Sequence, residues 1–175
     1  MKKTILIILS SIICFTLCTS CNDEPAMIKF EYEKPITTML SAFSKSDNTT
    51  FLNCFTAGAR EKFETKNPDT KITELVNSSV INSVGENAKL NYTMDNRNEL
   101  DKRKITKLEQ AYTDAYKSRI DIKKAYTLSL KLTCNNLINP TDYTQDIEIT
   151  VVKVDGSWYI YGDVITEFKL ELQSN

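Results

Sequence analysis

The chain has 175 residues, with 22 Lys and Arg against 23 Asp and Glu, and it contains no histidine. A net charge of −1 gives no pull toward nucleic acid or an anionic membrane surface. The missing histidine removes the usual neutral-pH base, the Ser-His-Asp arrangement and the common zinc sites, while the length suits one domain.

Met1, Lys2 and Lys3 precede an apolar run over residues 4–17, and small polar residues follow. A charged start, a short apolar core and a small-residue exit describe an export signal, whereas a spanning helix needs about 20 apolar residues. Leu17, Cys18, Thr19, Ser20 and Cys21 resemble the processing site of a bacterial lipoprotein precursor, although Cys18 stands where that site usually has Leu. The resemblance implies cleavage before Cys21 and a lipid (diacylglyceryl and palmitate) on its sulfur. It therefore implies an extracytoplasmic domain anchored at the bacterial cell envelope membrane; plain secretion and an uncleaved anchor are the alternatives. On this reading residues 1–20 are signal peptide, 21–34 are the lipidated N-terminus and tether, and 35–175 form a single domain.

Pro35 suits a first helical turn, and Ile36, Met39, Leu40 and Phe43 fall on one helical face. After a polar break, Asp47, Asn48 or Thr49 can cap a second helix carrying Phe51, Leu52, Cys54 and Phe55, with Gly58 marking its weakening. Ile72, Leu75 and Val76 suggest another helical face. Leu90, Tyr92 and Met94 then alternate as in a half-buried strand, and residues 95–104 read as a polar connection. Ile105, Leu108, Tyr112, Ala115 and Tyr116 predict a further helix.

Tyr126, Leu128, Leu130, Leu132 and Cys134 define the clearest strand, and Asn135 to Tyr143, with Pro140, forms a loop. Ile147, Ile149 and Val151 belong to the next strand, Asp155 and Gly156 fit a tight type I′ turn, and residues 157–162 return. Phe168, Leu170 and Leu172 suggest a last edge strand. Cys54 and Cys134 read as small buried thiols, with a disulfide between them as the alternative.

The run from Ala125 to Cys134, the stretch from Asp146 to Asp163 with Asp155-Gly156 and Trp158-Tyr159, and the opening helix pair resemble a nuclear transport factor 2-like domain. They resemble in particular the Gram-positive lipoproteins that carry a domain of unknown function on this scaffold. The resemblance implies an α+β fold in which N-terminal helices pack on a curved antiparallel sheet, a cone with a pocket inside. Tyr92, Tyr112, Tyr126 and Tyr159 are the candidate pocket residues, while Trp158 either clamps the sheet or stacks a ligand.

No cofactor or metal site is expected, because Asp142, Asp146 and Glu148 match no oxygen-ligand loop. The expected function is a non-catalytic binding or accessory module whose partner is a small molecule, a peptide or an envelope protein. The alternative is a small pocket enzyme of isomerase or dehydratase type using carboxylate and tyrosine groups.

Overall fold

The computed structural model describes residues 30–74, 89–135, 143–164 and 173–174. The expected signal peptide and Cys21, most of the apolar stretch after Ile72, the loop with Pro140 and the segment with Phe168, Leu170 and Leu172 lie outside the described residues.

A 3-10 turn, Glu31–Glu33, runs directly into α1, Lys34–Ser44. Tyr32 and Glu33 are both buried, so the packed chain begins inside the stretch read as tether. Pro35 sits in the first turn of α1, where a missing amide hydrogen costs nothing, and Ile36, Met39, Leu40 and Phe43 are all buried. Asp47 caps α2, Asn48–Asn53, by accepting from the Thr50 amide at 3.0 Å. The helix stops at Cys54, and α3, Ala57–Lys66, follows at once. Gly58 therefore lies in the first turn of a helix rather than at the exit of one.

Strand β1, Lys89–Glu99, is followed by α4, Lys102–Tyr116, whose N-terminus is capped by Asp101 through the Lys104 amide at 2.8 Å. Strands β2, Lys124–Asn135, β3, Tyr143–Val154, and β4, Ser157–Ile160, complete an antiparallel meander in the order β1-β2-β3-β4. A short β5, Gln173–Ser174, pairs with the beginning of β3. Asp155 and Gly156 join β3 to β4 with φ of 48° and 83°, a two-residue turn in the left-handed region.

Strand alternation assigns the two faces. Tyr126, Leu128, Leu130, Ile149, Val151 and Ile160 pack against α1, α2 and α3, whereas Ala125 and Val152 point the other way, toward Ile105 and Leu108 of α4. β1 runs longer than the alternation of its first half suggests, because residues 95–99 are strand and not connection. Those residues are polar and exposed, so no hydrophobic period marks them.

The fold corrects the expected family resemblance. Among the described residues the sheet is flat and open, with no closure between its first and last strands, and it is not the curved cone of a nuclear transport factor 2-like domain. Curvature in such sheets is built with bulges. Here β2 and β3 pair without interruption from Lys124↔Lys153 to Cys134↔Tyr143, and the one register shift among the described residues lies between Met94 and Asn96 of β1. Helices on both faces also leave no single concave side to wrap. What holds is an α+β fold with N-terminal helices and an antiparallel sheet. Among the described residues no helix is long and apolar enough to cross a membrane.

Candidate functional site

The four tyrosines named from the sequence do not line one cavity. Tyr126 pairs with Val151 while Tyr159 pairs with Val152, and consecutive strand positions point to opposite faces. Tyr92 and Tyr126 thus share the α1 face, whereas Tyr159 packs on the α4 side. Tyr112 sits between α3 and α4, in ring contact with Tyr116 and Tyr161. Its phenol oxygen accepts the Gly58 amide hydrogen at 2.6 Å.

On the α1 face the tyrosines join a cluster centred on residues that sequence periodicity does not single out. Tyr126 stacks on Trp158 with centroids 5.5 Å apart, and Tyr32 closes on Tyr126 at 4.8 Å. The Arg97 guanidinium lies over the rings of Phe30, Tyr32 and Tyr126, and donates to the Tyr32 phenol oxygen at 3.1 Å. Arg97 reaches this face because of the bulge. With Asp95 as the extra residue, Arg97 pairs with Leu128 and turns to the apolar side of β2; were Asp95 itself paired with Ser129, Asn96 would take that position. The only sequence signal for the cluster is the aromatic spacing of Phe30 and Tyr32 before Pro35.

Beneath it, Tyr92 donates to Glu33 Oε2 at 3.0 Å, while Glu33 Oε1 is buried with no partner among the described residues. Burial, reinforced by the neighbouring carboxylate, pushes the Tyr92 phenol up from its ordinary value.

Two half-open grooves flank the β3–β4 hairpin and share Tyr159. The first, about 580 Å³, runs from Phe30, Glu31, Lys34 and Thr38 to Ser157 and Trp158. Phe30 is the large apolar side chain left exposed there, at 48%. The second, about 570 Å³, lies between the start of α3 and the chain after α4, with Thr56, Arg60, Tyr112, Arg119 and Asp155 in its wall.

The thiols are unsuited to nucleophilic work. Cys54 and Cys134 are both free and buried, and desolvation pushes their pKa up to about 12 and about 11. Among the described residues no group of three or more Cys, Asp or Glu is placed to hold a metal ion; Asp146 and Glu148 are exposed, and Asp142 lies outside the described residues. No protein-family model matches the chain, and no curated protein matches it.

Proposed function

We propose that the chain is an envelope lipoprotein, anchored through lipid on Cys21, whose domain is a non-catalytic module binding an extended peptide or protein segment in the first groove. One observation carries this reading. Phe30 is a wall of the groove and follows Cys21 by only nine positions in sequence, so the groove lies close to the proposed point of attachment. Residues 22–29 span about 30 Å at most when extended, at about 3.5 Å per residue, which keeps the groove near the bilayer surface.

A groove open along its length, with Trp158 and Phe30 for apolar contact and Lys34 and Glu31 for polar contact, favours an extended ligand over an enclosed small molecule. The enzyme alternative would draw on Glu33 and Tyr92, the buried carboxylate and phenol within hydrogen-bond reach of each other. Neither lines either groove, which supports binding over turnover.

Trp158 is the single tryptophan of the chain, so its emission reports on the groove alone. A library of extended peptides titrated against the protein should contain members that shift this emission saturably. Thr38→Arg, which fills the groove, should abolish the shift. A library without a saturating member would sink the groove reading. The anchor is tested separately: intact mass of the membrane-extracted protein should show residues 1–20 removed and lipid on Cys21, and Cys21→Ala should release the protein to the soluble fraction.

A further inference from the structure

The second groove has a chemistry the first lacks. It is built on the N-terminal end of α3, where the first amides of a helix have no partner within it and the helix dipole favours negative charge. Gly58 gives its amide hydrogen to Tyr112, but the amides of Ala57 and Ala59 have no acceptor among the described residues. Thr56 occupies the capping position and does not cap. It is only 2% exposed, it lines the groove, and its hydroxyl has no partner among the described residues. A buried hydroxyl beside unpaired amides marks a place where a partner is missing.

Charge points the same way. Arg60 and Arg119 both line this groove. Arg60 is held by Asn53, whose side-chain oxygen accepts from Nη1, leaving its other donors available. Arg119 is exposed and has no carboxylate partner among the described residues. Two carboxylates, Asp121 and Asp155, also stand in the wall. Asp121 pairs with Lys123 at 2.6 Å, and Asp155 lies within the electrostatic reach of the same lysine. Lys123 offsets part of this acidic charge, while Arg60 and Arg119 are in no ion pair among the described residues. Because Tyr112 accepts from Gly58, its own hydroxyl hydrogen remains uncommitted to that bond.

We propose that this groove binds a phosphoryl group, as free phosphate or as a phosphomonoester, between Arg60, Arg119 and the first turn of α3. Two guanidinium groups, the amide of Ala57 in the groove wall and a buried hydroxyl supply more donors than a carboxylate has lone pairs to use, and suit a doubly charged tetrahedral anion. The site is separate from the groove assigned to a peptide segment and stands or falls without it.

The test is a titration of the full chain in detergent with inorganic phosphate, glycerol 3-phosphate and acetate at fixed ionic strength, read from the amide signals of Ala57 and Ala59. Phosphate should move both signals saturably, and acetate should bind at least about tenfold more weakly. Arg119→Gln, an exposed change, should weaken phosphate by about tenfold, and Arg60→Gln by a similar factor. Lys117→Gln, an exposed cation outside the groove, should leave it unchanged. Tighter binding of glycerol 3-phosphate would identify an esterified source, and equal or weaker binding would identify the free ion. A non-saturating response, equal binding of acetate, or wild-type phosphate binding by folded Arg119→Gln would each overturn the proposal.

Discussion

The Tyr112 phenol oxygen stands 2.6 Å from the Gly58 amide nitrogen, across two helices that are 54 residues apart at this point in sequence. A Cβ on Gly58 would lie 2.6 Å from that oxygen and 2.8 Å from Tyr116 Cβ, so glycine is what lets α3 and α4 meet. Gly58→Ala raises helix propensity yet should destabilise the protein by about 2 kcal/mol through the clash, and Tyr112→Phe by about 1–3 kcal/mol by orphaning a buried amide. Urea unfolding of both variants measures this. A stabilised Gly58→Ala would show that the helices can part at no cost.

Met39 is 1% exposed under the sheet, in the row that includes Ile36 and Phe43. Met39→Asp should cost about 3–5 kcal/mol, from lost packing and a desolvated carboxylate. The midpoint of thermal or urea unfolding checks it.

The β3–β4 turn should be the fast-exchanging point between protected arms. Amides of 126–133 and of 147–153 should resist exchange, while Asp155 and Gly156 exchange early. Gly156 has open space around the position of a Cβ, so Gly156→Ala isolates the backbone strain at φ 83°, about 1 kcal/mol.

Cys54 and Cys134 should react slowly with a disulfide reagent at pH 8 and rapidly once urea unfolds the chain, since burial both hides the sulfurs and suppresses thiolate. A non-reducing peptide map should yield both as free thiols. A native link between them would contradict the structure.

Acid should loosen the start of α2 before it unfolds the core. The Thr50 hydroxyl and amide, in that order, hold the Asp47 carboxyl below its ordinary value. The sign follows from this lowering: the cap contributes above the unfolded carboxyl's pKa and is lost as pH falls through the lower folded one. The Thr50 amide shift should titrate with that lower midpoint and should cease to titrate in Asp47→Asn.

Local chemistry was legible in the sequence where one residue type sufficed. Asp47 among three candidate caps, Asp155-Gly156 as a turn and the alternation from Tyr126 to Cys134 all depend on neighbours a few positions away. Gly58 reads from sequence as a weakening of the helix because its reason, a phenol 54 residues away, is tertiary. The four tyrosines share an aromatic body and a polar tip in the sequence, yet the one-residue offset between Val151 and Val152 sends Tyr126 and Tyr159 to opposite faces. The residues that resemble the cone family are turn and core residues common to any antiparallel hairpin. Sheet curvature depends on bulges, and the bulge at Asp95 falls in a polar stretch with no apolar period to reveal it. Arg97 and the cluster it caps were hidden for the same reason.

Strand β1 ends the described sheet on one side, while residues 54–56 cover β4 on the other through the Thr56–Ile160 and Ile160–Cys54 backbone bonds. Crowding copies of a protein onto a surface raises the chance that a bare strand edge will recruit another chain and seed a fibril. The bulge and the charges of Asp95, Arg97 and Glu99 interrupt that edge along its exposed half. The bulge that turns Arg97 onto the aromatic cluster thereby also guards the molecule against templated aggregation, and deleting Asp95 would smooth that edge while leaving Arg97 opposite Leu128.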